Sequence, residues 1–168
     1  KPWATDGHPN KRPHNITNSL YLTAEDLEDL NIERYRRYEQ IQAEEQRAET
    51  FLVEDAEIVL VAFGATSRIC RSAVRAARDE GIKAGLIRPI TLWPFPEDAI
   101  KATIPTAKAY LSVEMSMGQM VDDVRLVVNG ARPAEFYGRT GGVIPTPDEV
   151  LGKIREMDAS IDSAKGGE

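Results

Sequence analysis

The chain has 168 residues, of which 42% are hydrophobic and 29% are charged, and its formal net charge is −6. This length fits one domain of typical size with an appendage, and it is enough to bury a hydrophobic core. The acidic balance without a basic stripe argues against a nucleic-acid-binding protein, and the lack of a long apolar run or a signal-peptide pattern argues against a membrane or secreted protein.

Residues 1–52 are predicted to form an irregular arm followed by a long helix. Prolines and a glycine interrupt any periodicity at 1–22, and the missing initial Met leads us to expect a fragment of a longer polypeptide. His8 and His14 are too few and too irregularly placed for a metal site. Strong helix formers predict a helix over 24–49. Its narrow apolar stripe fits either a connector between domains or an ordinary solvated helix.

Residues 53–158 are predicted to form a compact α/β domain. The apolar run at 57–63, bounded by acidic residues and a glycine, is typical of a parallel strand buried on both faces. Strands and helices then alternate, with predicted elements at 57–63, 67–79, 84–88, 97–102, 107–113, 118–129, 133–137 and 147–157. This alternation predicts a three-layer sandwich with a mostly parallel sheet. Residues 159–168 are predicted to form a flexible tail.

The turns after the first three strands should lie along one edge of the parallel sheet, where open α/β sheets place their binding surfaces. The first turn contains Gly64, Ser67 and Arg68, and its backbone N–H groups can bind an anion at the helix N-terminus. It lacks the glycines of a dinucleotide-binding fingerprint. A short turn of this kind also needs a glycine and a cap, supplied here by Thr66 or Ser67, for purely structural reasons. Gly81 is predicted to end the helix that follows.

The segment 86–96 is predicted to leave the sheet as a stiff, extended arm, because three prolines fix its backbone and remove hydrogen-bond donors. It carries Trp93 and Phe95. These aromatic side chains either cover the end of the core or form a docking surface for another domain. The methionines at 115–120 similarly suit either an adaptable interface or core filling.

The remaining turns offer few groups for catalysis. Glu114 follows a buried strand directly, so its pKa is predicted to be raised, but one carboxylate is weak support for acid–base chemistry. An ion pair with Arg88 or Arg139 is the alternative. Gly118 begins the next predicted helix, where Gln119 can bind a ligand or satisfy the backbone. Arg139 is the candidate for an exposed anion contact.

Motifs for several kinds of chemistry are missing from the sequence. Cys70 is the only cysteine, so the chain cannot hold an iron–sulfur cluster, and a reducing cytoplasm is the expected location. Walker, HExxH and GxSxG motifs are absent, as is the Gly-Asp-Gly…Asn metal motif of thiamine-diphosphate enzymes. We therefore predict no catalytic residue and no metal site in this chain.

Three motifs, in their order and spacing, resemble one family. LIRPITLWPFP at 86–96, VEMSMGQM at 113–120 and GRTGG at 138–142 are similar to the C-terminal domain of the alpha subunit of 2-oxoacid:ferredoxin oxidoreductases, with the branched-chain 2-oxoisovalerate type most similar. Residues 1–22 resemble the segment that leaves the thiamine pyrimidine-binding domain. Ser116 departs from the pattern, since the family often has Asn there, and this weakens any ligand role at that position.

The resemblance implies a domain similar to the transketolase C-terminal domain. The family oxidatively decarboxylates a 2-oxoacid on thiamine diphosphate with Mg²⁺, passes electrons through Fe–S clusters to ferredoxin, and forms an acyl-CoA. These cofactors are expected elsewhere in the parent complex. The chain is expected to act in assembly with other domains and subunits of an oligomer, with no nucleic-acid or membrane partner. The alternatives are a CoA- or anion-binding module using 64–68 and Arg139, or a pure interaction domain.

Overall fold

The computed structural model describes residues 4, 7, 11, 13 and 19–165. His8, His14 and most of the predicted irregular arm therefore lie outside the described residues. Contacts between Cα atoms divide the chain into two compact units, 1–39 and 40–168. Among the described residues, no helix is both long and apolar enough to cross a membrane.

Helix α1 spans Ala24–Glu44, and none of its residues is buried. Its first turn carries two acidic residues, Glu25 and Asp26, where the helix dipole favours negative charge. The predicted long polar helix is confirmed at its start, but it ends at Glu44 and not near Glu49.

The other helices and strands alternate along the second unit. They are β1 Ala48–Phe51, β2 Ile58–Val61, α2 Gly64–Asp79, β3 Ala84–Pro89, α3 Glu97–Lys101, β4 Ala109–Glu114, α4 Met120–Val128, β5 Ala134–Gly138 and α5 Pro147–Lys165. The strand order in the sheet is β1-β3-β2-β4-β5. Strands β2 to β5 run parallel to one another, and β1 pairs antiparallel with β3 at one edge. The predicted mostly parallel sheet is confirmed.

Helices cover both faces of the sheet. Alternate strand residues point to opposite sides, and because the residues on both sides are apolar, both faces need a covering layer. Ile58 and Leu60 pack in a cluster with α2 and α5, whereas Val59 and Val61 pack in a second cluster with α3 and α4. All four side chains are fully buried, and burial of each contributes roughly 1.5–3 kcal/mol of stability. The predicted three-layer α/β sandwich is confirmed.

Strand β1 was missed by the sequence prediction, which assigned residues 48–49 to the long helix and started the compact domain at residue 53. In the structure Glu49 pairs with Arg88, and Phe51 pairs with Leu86 and packs against the core. Tertiary pairing therefore overrides the local helix propensity of this segment.

Helix α5 also differs from its prediction, because it continues to Lys165 and does not end near Met157. The Ser160 hydroxyl donates to the Met157 carbonyl at 2.8 Å, and Ile161 packs against the core cluster. The predicted flexible tail at 159–168 is therefore helical up to Lys165. The start of α5 is as predicted, since Thr146 Oγ1 accepts the Glu149 N–H at 3.2 Å.

Candidate functional site

The predicted site residues come together at the carboxyl edge of the sheet. Strands β3, β2 and β4 are parallel neighbours, so the turns that follow them lie side by side, and β5 brings the turn at 138–142 to the same edge. Arg88 lies just inside this edge, near the end of β3.

The turn between β4 and α4 is organised around the buried carboxylate of Glu114, which is only 2% exposed. Its Oε2 accepts hydrogen bonds from the Ser116 hydroxyl at 2.8 Å and from the Gln119 and Met120 N–H groups, both at 3.0 Å. Its Oε1 accepts bonds from the Ser112 hydroxyl and the Val121 N–H, both at 2.9 Å. Glu114 therefore caps the N-terminus of α4 from inside the protein.

Burial raises the pKa of Glu114, but hydrogen bonds from the Gln119 N–H, the Ser116 hydroxyl, the Met120 N–H and the Ser112 hydroxyl outweigh burial and hold the pKa below its ordinary value. The predicted raised pKa is therefore wrong, because the prediction considered desolvation alone. A buried, ionised carboxylate with five donors is poorly suited to act as a general acid or base.

The neighbouring polar residues have structural partners as well. Gly118 has a positive φ of 96°, and its N–H lies 3.4 Å from the Ser116 hydroxyl oxygen. Gln119 uses its backbone N–H to bind Glu114. Ligand roles for Gly118 and Gln119 stay predictions.

The predicted ion pair between Glu114 and either arginine is not formed. Arg88 pairs with Glu49 at 3.0 Å, and Arg139 pairs with Glu149 at 3.2 Å. Arg139 is therefore not a free cation, which weakens its predicted role as an anion contact.

The turn between β2 and α2 differs from its predicted capping. Helix α2 begins at Gly64, whose φ is 59°, and it has no side-chain cap. The Thr66 hydroxyl donates to the Phe63 carbonyl at 2.6 Å, and the Ser67 hydroxyl donates to the Gly64 carbonyl at 2.7 Å. Because both hydroxyls point back to carbonyls, neither caps the helix. Arg68 lines a cleft beside α2.

The proline-rich arm after β3 is fastened to the residues before β1. The Ile90 and Thr91 N–H groups bind the Arg47 carbonyl at 2.9 and 3.2 Å, and the Arg47 N–H binds the Thr91 hydroxyl at 3.0 Å. The two aromatic side chains of the arm differ in burial. Phe95 is half-buried against the core, whereas Trp93 is 55% exposed.

Apolar side chains are exposed on all three central turns of this edge. We call them the carboxyl-edge surface, which consists of Phe63, Ile90, Leu92, Trp93, Met115 and Met117. Met117 is 82% exposed, the most of the six. Aromatic residues and methionine are enriched in protein interfaces, so the composition of this surface is that of a contact region.

The described residues do not fit an iron–sulfur cluster or the metal of a thiamine-diphosphate site. Cys70 is buried in the core, and burial raises the pKa of its thiol to about 12. Among the described residues, no group of three or more His, Cys, Asp or Glu side chains is arranged to hold a metal ion. Glu114, the one buried carboxylate among the described residues of this edge, is already committed to α4.

Sequence reasoning missed the arginines that share the α2 cleft with Arg68. Arg71 and Arg75 lie at i+3 and i+7 from Arg68, which is the spacing of one helix face. This spacing is visible in the sequence. The role of Ser112 as a Glu114 donor, by contrast, is not visible without the strand register.

Comparison with known proteins places this architecture among oxidoreductase subunits. Residues 56–150 match the family model described as pyruvate:ferredoxin oxidoreductase core domain II. The ketoisovalerate oxidoreductase subunit VorB of Methanothermobacter thermautotrophicus is 44% identical over 155 residues, which are 92% of this chain and 44% of that subunit. The 2-oxoglutarate synthase subunit KorA of Methanothermobacter marburgensis is 42% identical over 104 residues, covering 62% of this chain and 28% of that subunit. The chain thus spans less than half the length of these relatives.

Solved structures support the fold. A 2-oxoglutarate:ferredoxin oxidoreductase from Magnetococcus marinus, with 2-oxoglutarate, coenzyme A and succinyl-CoA bound, aligns with a TM-score of 0.66 and 21% identity over 85% of this chain and 25% of that chain. A split-gene transketolase, in an inactive beta4 tetramer, aligns with a TM-score of 0.56 and 18% identity over 66% of this chain and 40% of that chain. The predicted transketolase-like fold is confirmed.

Proposed function

The chain belongs to the pyruvate:ferredoxin oxidoreductase core domain II family, and we propose that it serves as a structural and assembly domain of a 2-oxoacid:ferredoxin oxidoreductase. The whole enzyme would oxidatively decarboxylate a 2-oxoacid to an acyl-CoA, with ferredoxin as the electron acceptor. The chain would belong to the alpha subunit and would not be catalytic alone.

One observation carries this proposal: at the carboxyl edge the charged groups Glu114 and Arg139 bind partners within the chain, whereas apolar side chains face outward. The Glu114 carboxylate accepts hydrogen bonds from the N–H groups at the start of α4, and Arg139 pairs with Glu149. Trp93 and Met117 meanwhile expose apolar surface. An edge built in this way offers a contact area and no reacting group among its described residues.

The substrate, cofactors and partners belong to the same proposal. The 44% identity to a ketoisovalerate oxidoreductase subunit supports a branched-chain 2-oxoacid as the substrate of the parent enzyme. Thiamine diphosphate, Mg²⁺ and Fe–S clusters would reside in other domains or subunits, because the described residues of this chain do not fit them. The assembly would be a cytoplasmic oligomer.

The alternative functions are not favoured. A free-standing CoA or anion module at 64–68 and Arg139 would need the Ser67 hydroxyl and the Arg139 guanidinium group. Both already bind partners within the chain, the Gly64 carbonyl and the Glu149 carboxylate. The similarity to oxidoreductase subunits argues against an interaction domain unrelated to oxidoreduction.

The test is co-expression of a tagged chain with the thiamine-diphosphate-binding subunits of the proposed parent enzyme. We expect the subunits to copurify and to reduce a viologen dye with 2-oxoisovalerate. Trp93→Gln with Met117→Gln should lower the copurified amount, because polar side chains would replace apolar contact area. Leu126→Gln is the matched control, since Leu126 is 80% exposed on α4 and lies outside the carboxyl-edge surface.

Equal loss of copurification in the control and in the double variant would contradict a contact role for this surface. Turnover by the purified chain alone would contradict the proposed division of labour, and so would binding of thiamine diphosphate that requires Mg²⁺ in a calorimetric titration.

A further inference from the structure

A cleft of about 690 Å³ lies between α2 and the edge of the sheet. Phe51 of β1 and Arg88 of β3 contribute to one side, and the other side is a face of α2. None of the residues of the carboxyl-edge surface lines it. A volume of this size is within the range of about 300–1,000 Å³ that small-molecule sites occupy.

The α2 side of the cleft presents three guanidinium groups. Arg68, Arg71 and Arg75 share one helix face and span roughly 10 Å along the helix axis at 1.5 Å per residue. Within the part of the chain that the structure describes, none of the three forms an ion pair with a carboxylate. The Arg71 guanidinium lies 4.3 Å and that of Arg75 lies 5.6 Å from the centre of the Phe51 ring. Stacking on this ring orders both side chains at the cleft.

Arg88 adds a fourth guanidinium with an unused donor. One of its terminal nitrogens binds Glu49 at 3.0 Å, while its Nε is buried and has no hydrogen-bond partner among the described residues. An unsatisfied buried donor is unfavourable. The Arg88 side chain as a whole is 42% exposed and lines the cleft, so its exposed part can contact a ligand there. The cleft thus sets four arginines against one carboxylate in a chain whose net charge is −6.

We propose that this cleft binds a small organic molecule that carries two or more phosphate groups. Planar guanidinium groups bind phosphate oxygens through paired hydrogen bonds, and several of them spread over roughly 10 Å suit more than one anionic group. A volume within the range of small-molecule sites favours a small molecule over an extended acidic protein segment. The site uses none of the residues that carry the assembly proposal, so the phosphate-binding proposal and the assembly proposal are tested independently.

Calorimetric titration of the chain with inorganic pyrophosphate tests the site, and adenosine 5′-diphosphate serves as the organic probe. The double variant Arg71→Gln and Arg75→Gln should weaken the binding of both probes at least about tenfold, because it removes two charge-assisted contacts. The matched control is Arg34→Gln with Arg36→Gln, which removes two exposed arginines from α1 and should leave affinity unchanged.

A second measurement needs no variant. Phenylglyoxal modifies exposed arginines, and pyrophosphate should protect Arg71 and Arg75 from it while leaving Arg36 reactive. The proposal is overturned by any of three results: no binding of either probe at millimolar concentration, equal weakening in the control pair, or an oligoglutamate peptide that binds more tightly than pyrophosphate.

Discussion

Replacing Glu114 by Gln tests how strongly one buried carboxylate stabilises the fold. Gln keeps the shape of the side chain but has a single acceptor oxygen. If that oxygen replaces Oε2, the amide NH₂ faces the Val121 N–H, and if it replaces Oε1, the NH₂ faces the Gln119 and Met120 N–H groups. At least one buried backbone donor therefore loses its acceptor in either orientation.

The expected loss of unfolding free energy is about 2–5 kcal/mol. A buried donor without an acceptor costs about 1–3 kcal/mol, and removing a negative charge from a helix N-terminus costs up to about 1–2 kcal/mol. This is a substantial part of the roughly 5–15 kcal/mol that stabilises a typical domain.

The contribution of Glu114 to the free energy of unfolding should depend on pH. Because the pKa of Glu114 lies lower in the folded chain than its ordinary value of 4.5, its contribution is present above that value and is lost as the pH falls through the lower folded pKa. The stability difference between the wild type and Glu114→Gln should therefore be complete at neutral pH and should narrow in acid.

Urea unfolding followed by circular dichroism, at neutral pH and in acid, measures both effects. Glu135→Gln is the matched control, because Glu135 is an exposed carboxylate on β5. If Glu114→Gln unfolds at the same urea concentration as this control at neutral pH, Glu114 is not the cap that the geometry indicates.

Three further predictions concern other parts of the domain. Gly138→Ala should destabilise the chain by roughly 1–3 kcal/mol in urea unfolding, since an added Cβ would clash with the Phe136 ring and the Ser116 carbonyl; Gly152→Ala, a helical position with nothing within 4 Å, should instead stabilise it by about 0.5–1 kcal/mol. The thiol of Cys70, whose pKa burial raises to about 12, should react with Ellman's reagent at pH 8 only after denaturation; rapid labelling of the folded chain would contradict its burial. Thr146→Ala should lower the melting temperature through loss of the α5 cap, at a cost of about 1 kcal/mol, and an unchanged melting temperature would show that the cap contributes nothing.

Most of the fold could be predicted from the sequence because the central strands are apolar on both faces. The apolar run at 57–63, which contains β2, is typical of a buried strand, and glycines mark the ends of helices. At Gly81, for example, the Ile82 N–H binds the Ala77 carbonyl at 2.9 Å, and the predicted end of α2 is confirmed. Strand β1 could not be predicted in this way, since it is short, polar and preceded by helix-forming residues.

The arrangement of the turns at the carboxyl edge could be predicted from the sequence, but the electrostatics of their side chains could not. The turns follow from the parallel topology, which the alternation of elements predicts. Whether a carboxylate such as Glu114 gains or loses a proton depends on donors from Ser112 and from the backbone of α4, and only the folded arrangement brings these together. The partners of Arg88 and Arg139 are likewise contacts that no local pattern encodes.

The two hydrophobic clusters have a consequence for the order in which the chain is made. Val150, Ile154 and Met157 of α5 cover one side of β2 and β4, and they are among the last of the described residues to be synthesised. Until these residues leave the ribosome, apolar strand residues on that side have only α2 to shield them. Nascent chains that stall before residue 150 should therefore depend on chaperones, because their exposed strands can associate with one another.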